Sequence, residues 1–420
     1  MSQEEQETRL EQLQEQYERY KQRPLDLSLA RGVPSSEQLK LSQALINDTP
    51  ITQWLSDDEI DIRNYGGLYG IKEARELFGS LMETSVEETF IGGNSSLHLM
   101  YAVLNHFMFT AEKPWSQDAT VKFLCPSPGY DRHWFMLEQL GIEMISVPLT
   151  GKGPDMDTVE TLVSQDPAIK GMFVVPTYNN PTGETVSDEV VDRLAAMTTA
   201  HDDFLIMWDN AYVVHHLYEE REVVKNILEA CKYALNPNRV VQFVSTSKMT
   251  IPGSGVSAIG ASVDRMQEIA KAFSKQIISF DKINQKRHVE FLKDRETIEA
   301  HMEKHAEILA PKFEWIDAIL HAFFGEEERS HFVEWTQPKG GYFVHLTTQD
   351  GCAEEVVRRM KDIGVHLTDA NAAYPYGNNP RDNSIRLAPS NAKLDHLEIA
   401  MEALCVCIEL VTLEKIELTN

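Results

Sequence analysis

Five short apolar stretches restrict the fold more than anything else in the chain: "VKFLCP", "MISVPL", "KGMFVVP", "DFLIMWD" and "VVQFVS", each bounded by turn residues. Strands apolar on both faces cannot present either face to water, so each must be covered by helices. The intervening segments supply that cover: Leu97, Met100, Tyr101 and Leu104, for example, recur at helical spacing. The alternation predicts an α/β fold with a parallel or mostly parallel central sheet. At 420 residues the chain exceeds one small core, and its pattern changes along its length. Leu10, Leu13, Tyr17 and Tyr20 mark an amphipathic N-terminal helix closed by Pro24. From about residue 283 a long helical stretch runs through "HMEKHAEILAPKFEWIDAIL". Strands in "GGYFVHL" and "SIRLAP" follow it, then a last helix on Leu394, Leu397, Met401 and Leu404. The chain therefore divides into an N-terminal segment (1–48) belonging to the small domain, a large domain (49–300) and a smaller α+β domain (301–420).

Composition narrows the function classes. A formal net charge of −26 argues against nucleic acid and against an anionic membrane surface as partners. No apolar run approaches a membrane span, and the polar start "MSQEEQETRL" is no secretory signal. Cys125, Cys231, Cys352, Cys405 and Cys407 are scattered without metal-type spacing, so they read as reduced thiols of a cytoplasmic protein, and no metal site is expected.

Open α/β sheets bind ligands beyond the carboxyl ends of their strands. Three strand ends stand out there. "VVPTYNNPTG" presents Asn180, "IMWDNAY" presents Asp209 with Tyr212 three residues on, and "VVQFVSTSKMTIPGSG" presents Lys248 among hydroxyls and glycines. Each alone has an ordinary explanation: a cap or turn for the aspartate, a turn for Asn-Pro-x-Gly, a solvated surface lysine. Together, in this order on successive strands, they point to a site. A lysine at a buried strand end must be desolvated or paired, and either condition alters its reactivity.

The set Asn180-Pro-Thr-Gly183, Asp209-x-x-Tyr212 and Ser245-x-Ser-Lys248 resembles the fold type I pyridoxal-phosphate aminotransferases. The likeness extends to "NYGGLYG", "GGNSSLHLMY", "CPSPGYDRHW", "PKGGYF" and "SIRLAP", covering nearly the whole chain. Several of these are most similar to the subgroup Ic aspartate aminotransferases, relatives of the effector domain of MocR-type regulators. The resemblance implies a large domain binding pyridoxal 5'-phosphate and a homodimer with active sites at its interface. It implies a ping-pong transamination through a lysine Schiff base, with aspartate or glutamate as donor and 2-oxoglutarate or oxaloacetate as acceptor. Lys248 would carry the Schiff base and the α-proton, Asp209 would pair with the pyridine nitrogen, and Asn180 and Tyr212 would bond the phenolic oxygen. Tyr130 would stack on the ring. Asn94, Ser95 and Ser96 at a helix start, with Ser245, Ser247 and a neighbouring subunit's Tyr65, would hold the phosphate.

One position departs from that pattern. Many family members carry an arginine eight residues after the lysine, and here that residue is Val256. The Gly253–Gly255 amides or a cation from elsewhere must serve instead. For the substrate, Arg386 matches the arginine that takes the α-carboxylate and Gly32 a backbone contact beside it. A distal carboxylate needs a second cation, for which Lys282, Arg31, Lys286 and Arg287 are candidates, Lys282 first. Other or broad amino-acid specificity, or decarboxylase, racemase or lyase chemistry on the same fold, is the alternative. A regulator module would need a DNA-binding domain, and the residues before Pro24 are too few and too acidic for one.

Overall fold

The computed structural model describes residues 3–22, 25–325 and 330–419; Pro24, expected to close the first helix, lies outside them. In chain order the strands are β1 (Leu27–Ser28), β2 (Thr89–Ile91), β3 (Lys122–Ser127), β4 (Glu143–Pro148), β5 (Ile169–Val174) and β6 (Leu205–Asp209). They continue as β7 (Val240–Ser245), β8 (Ser257–Ala261), β9 (Val333–Trp335), β10 (Val344–Thr348), β11 (Val365–His366) and β12 (Ser384–Leu387).

A seven-stranded sheet orders these as β2-β8-β7-β6-β5-β3-β4. Every pair from β7 to β4 is parallel, while β8 runs antiparallel to both of its neighbours. All side chains of β5, β6 and β7 are buried, as two-sided cover by helices requires. The register pairs Asp209 with Phe243 and Ser245 with Ser257. Asn180, Asp209 and Lys248 thus lie at or beyond the carboxyl ends of adjacent, central parallel strands. The fold is α/β with a mostly parallel central sheet.

A smaller antiparallel sheet, β12-β10-β9, packs in a separate apolar cluster with the helix Leu394–Thr419. The N-terminal helix Gln3–Gln22 lies against that last helix through Leu13 and Tyr17. There Arg9 makes a two-pronged bond to the fully buried Glu409 carboxylate, at 2.8 and 2.6 Å.

The expected continuous helix from residue 283 is two helices, Lys282–Leu292 and Arg295–Phe324. Lys293 at φ +56° turns the chain, and Asp294 caps the second helix by accepting from the Thr297 amide at 2.8 Å. The second helix also runs unbroken through the expected domain boundary at 300/301. Its early residues Ile298 and Met302 pack with the large domain, and Leu309 to Phe324 with the small one, so one rod serves both cores. The strand in "GGYFVHL" starts only at Val344; ahead of it Gly340 is pressed against Tyr178, where a Cβ would lie 2.1 Å from the ring.

Candidate active site

The turn after β7 is wound tightly on Thr246, whose carbonyl accepts from the Met249 and Thr250 amides and whose amide donates to the Val256 carbonyl. This turn aims Lys248 between two phenols. Its Nζ lies 5.3 Å from the centroid of the Tyr212 ring and 5.7 Å from that of Tyr342. Burial pushes the amine below the usual lysine range and Arg386 pushes it the same way, while Asp209 opposes them.

Asp209, at the last position of β6, is buried and asymmetrically used. Oδ2 is 2.9 Å from Nε2 of His133, whereas Oδ1 is buried with no partner. A carboxylate oxygen in that state is a vacant acceptor for an N–H donor. The His133 ring is held flat on Phe173, with centroids 4.0 Å apart and an interplanar angle of 6°. Nothing in the sequence marks His133 except its place three residues after Tyr130 in the helix Asp131–Gln139, which puts both on one face. Tyr130 meets His133 edge-on at 5.1 Å, and burial raises its phenol to about 12.

Arg386, on β12 of the small domain, is brought across to the same place. Nη1 donates to Asn180 Oδ1 at 3.1 Å, and Nη2 donates to Thr368 Oγ1 at 2.9 Å and to the Ala30 carbonyl at 3.4 Å. Its Nε is buried without a partner. The guanidinium also lies 4.9 Å from the Phe343 ring, against which Gly32 is packed so closely that a Cβ would sit 2.6 Å from the ring. Lys248, Asp209, Tyr212, Tyr130, Asn180, Arg386 and Gly32 are therefore gathered in one place, with His133, Tyr342 and Thr368 added to them.

Beside them Ser95 caps the helix Ser96–Asn105, accepting from the His98 amide at 3.4 Å. Ser245 Oγ donates to Ser247 Oγ at 3.2 Å, Ser247 Oγ to the Asn94 carbonyl at 3.4 Å, and Asn94 Nδ2 to the Gly253 carbonyl at 3.5 Å. Hydroxyls and a helix start are thus bonded together beside the Gly253–Gly255 turn, which Asn284 secures by donating to the Ser254 and Gly255 carbonyls. Val256 does not face it. Its side chain is 1% exposed and packs with Met249, Ala258 and Ile71.

The remaining candidates lie elsewhere. Lys286 is spent on Glu73 at 2.9 Å and Glu290 at 3.4 Å. Lys282 donates to the Asn64 carbonyl at 2.8 Å and to Ser279 Oγ at 3.1 Å, beside Tyr65, which is 80% exposed. Among the described residues, no hydrogen bond or ring contact joins Tyr65 or Lys282 to the Lys248 group. Arg31 and Arg287 are exposed, Arg31 directly following Ala30.

The family model described as aspartate amino-transferase matches residues 1–419. An aspartate aminotransferase of Corynebacterium glutamicum is 41% identical over 408 residues, 96% of this chain and 94% of that protein. The crystal structure of an aspartate transaminase from the same species superposes with a TM-score of 0.94 at 39% identity, covering 99% of this chain and 98% of that one. LysN, an α-aminoadipate aminotransferase of Thermus thermophilus, shares the fold at 21% identity and a TM-score of 0.73, with 93% of each chain covered. With a strand-end lysine, a half-used buried aspartate and an arginine carried in by the small domain, this chain belongs to the aspartate amino-transferase family of fold type I.

Proposed function

We propose that this aminotransferase uses pyridoxal 5'-phosphate at Lys248 to move the amino group of aspartate or glutamate to 2-oxoglutarate or oxaloacetate, by a ping-pong mechanism in a homodimer. The observation that carries the reading is a pair of unmet needs on the two residues whose charges act on Lys248: Asp209 Oδ1 lacks a donor and Arg386 Nε lacks an acceptor. A protonated pyridine nitrogen answers the first and an α-carboxylate the second. When bound, the cofactor supplies the electron sink that allows the α-proton to leave. Asp209 holds the positive charge on the ring nitrogen, with His133 fixing its other oxygen. Asn180 and Tyr212 would bond the ring oxygen, and Tyr130 would cover the ring face. Asn94, Ser95, Ser96, Ser245 and Ser247 offer the phosphate a helix start and hydroxyls in place of the arginine that Val256 replaces.

Lys248 Nζ would hold the cofactor's aldehyde and carry the α-proton, a task suited to an amine whose neutral form is favoured by burial. Arg386 would take the α-carboxylate on its unpartnered Nε–H, with Nη1 held by Asn180 and Nη2 by Thr368 and the Ala30 carbonyl, so that the substrate's α-carbon is oriented toward Lys248. For the distal carboxylate Lys282 stands first: it carries one more N–H than its two partners use, and, itself buried, it holds the Asn64 carbonyl beside the exposed Tyr65. In the chain segments that supply Asn64 and Ser279, Trp54, Leu55, Tyr65 and Ile278 are all exposed. Such a surface suits contact with a second copy, which would take Tyr65 and Lys282 into the neighbouring site. The five cysteines are free and buried, in keeping with a reducing cytoplasm.

The test is direct. Borohydride reduction of the holoenzyme should fix the cofactor to Lys248, and Lys248→Ala should lose the label while still binding free cofactor. A label retained in Lys248→Ala overturns the assignment. Half-reactions with aspartate, glutamate and alanine in Lys282→Ala, Arg31→Ala and Arg287→Ala then locate the distal cation. One variant should lose about 2–5 kcal/mol in kcat/KM for the dicarboxylates while sparing alanine. A wild type with no dicarboxylate preference ends the aspartate reading.

A further inference from the structure

Behind Lys248, away from the cofactor side, lies a buried polar chain that the chemistry above does not use. Met249, the residue after the lysine, is buried, and its carbonyl accepts from Nε2 of His301 at 2.8 Å and from Ser42 Oγ at 3.5 Å. His305, one turn further along the helix Arg295–Phe324, stacks edge-on to His301 with centroids 4.9 Å apart and Nε2 atoms at 3.3 Å. Its Nδ1 is 3.1 Å from Nε2 of Gln38, and the same amide donates to the Tyr342 hydroxyl at 2.8 Å. Gln38 itself is oriented by the Ser35 amide, which donates to its Oε1 at 3.0 Å.

The hydrogens can be assigned. With Oε1 accepting, the Gln38 amide nitrogen donates to both Tyr342 and His305 Nδ1, so Nδ1 is bare and the His305 hydrogen is on Nε2. The Nε2–H groups of His301 and His305 lie side by side, both turned to the Met249 carbonyl rather than bonded to each other. Protonating Nδ1 would set two donors against each other. Burial pushes His305 down to about 4 and lowers His301, so both imidazoles stay neutral. One amide thus links two things that touch the lysine: the main chain that carries it and the Tyr342 ring that faces its Nζ.

We propose that His301, His305 and Gln38 are positioning residues for Lys248, holding its main chain on one side and the Tyr342 phenol on the other so that the amine stays in its desolvated slot. A buried polar network of this kind offers no advantage in stability over apolar residues of the same volume, whereas a unique geometry does require directional bonds. The charged and titratable groups around the slot are Asp209 at the end of β6, His215 from the loop after it, His216 beyond them, Arg386 from β12, the Tyr212 and Tyr342 phenols, and Lys304 beside His301. His215 closes the back of the slot, edge-on to Tyr212 at 5.6 Å and to Tyr342 at 5.9 Å.

The inference rests on Lys248 being the reactive lysine, and its test does not need the cofactor. In the apo-protein, competitive acetylation across pH, read by mass spectrometry, reports the midpoint at which Lys248 becomes nucleophilic, with exposed lysines as the internal standard. His305→Leu should loosen the turn, admit water and raise that midpoint by about half a unit or more. In the holoenzyme the same variant should lower kcat about tenfold or more while KM for aspartate stays within about twofold, because the Arg386 fork is untouched. His305→Gln, which keeps a donor near the Nε2 position, should recover most of both. Tyr342→Phe, which deletes the acceptor of Gln38 and keeps the ring, should shift the midpoint in the same direction and carries the test should His305→Leu fail to fold. A folded His305→Leu, or failing that Tyr342→Phe, with an unmoved Lys248 midpoint overturns the proposal even if it melts earlier. Loss of the borohydride label from wild-type Lys248 would instead overturn the cofactor reading and leave the midpoint result intact.

Discussion

The two oxygens of Asp209 differ in their circumstances, and that difference makes separate predictions for separate residues. Asp209→Ala should keep the borohydride-trappable link at Lys248 yet slow the half-reaction by at least about a hundredfold, since a preorganised charge is lost where the reaction most needs it. Asp209→Glu should lose less. Stopped-flow half-reactions decide it, and a near-wild-type alanine variant would reduce Asp209 to a strand cap. The same residues set the Lys248 titration with opposite signs. Asp209 favours the ammonium and Arg386 disfavours it, so Asp209→Ala should lower the Lys248 midpoint in the apo-protein and Arg386→Leu should raise it. Two shifts of the same sign would contradict this geometry. At this scale Lys248, Asp209 and Asn180 were legible because strand ends advertise themselves by pattern. His133 was not, because its role depends on Phe173 and Asp209, 40 and 76 residues further along the chain.

At the scale of elements, two loops carry the predictions. The turn between Lys248 and β8 accommodates Val256 inside an apolar cluster. Val256→Arg should therefore bury an unpaired guanidinium and cost on the order of 3–5 kcal/mol, without tightening cofactor binding. Thermal unfolding and cofactor titration check both parts, and a stable variant with tighter binding would show that the turn can present that position to the phosphate. In the loop after Asn180, the Glu184 carboxylate accepts from the Gly153 amide at 2.9 Å, and burial raises it to about 7. Its folded pKa lies above its ordinary value of 4.5, so the stability it contributes is fully present below pH 4.5 and is lost as pH rises to about 7. Glu184→Gln keeps an acceptor for Gly153 and should flatten stability over that window, gaining about 1–3 kcal/mol above pH 7 relative to the wild type. Urea midpoints at pH 5 and pH 8 measure it, and an equal effect at both would remove Glu184 as the cause. Elements themselves were read from periodicity with one error of continuity. The break at Lys293 is made by an aspartate cap and a left-handed residue, which a hydrophobic pattern does not register.

For the whole molecule, the decisive question is which chain completes which site. If Tyr65 serves the neighbouring subunit, hybrids of inactive Lys248→Ala chains with Tyr65→Ala chains contain one intact site, and mixing should restore about a quarter of wild-type activity. Separately prepared parents measured alongside supply the baseline, and no recovery on mixing would place Tyr65 in the site of its own chain. Taken alone, the sequence determined the sheet, its parallel sense and the order of the strand-end residues, because two-sided burial and turn chemistry are local and periodic. It also determined that position 256 could not clamp an anion. Only the tertiary structure decided that Arg386 crosses from the small domain to Asn180, that His133 takes one oxygen of Asp209 and leaves the other bare, and that Gln38 joins Tyr342 to His305. Those contacts join residues from 76 to more than 300 positions apart. Hydrogen-bond geometry at such separations is set by how the domains pack, and no periodicity along the chain encodes it.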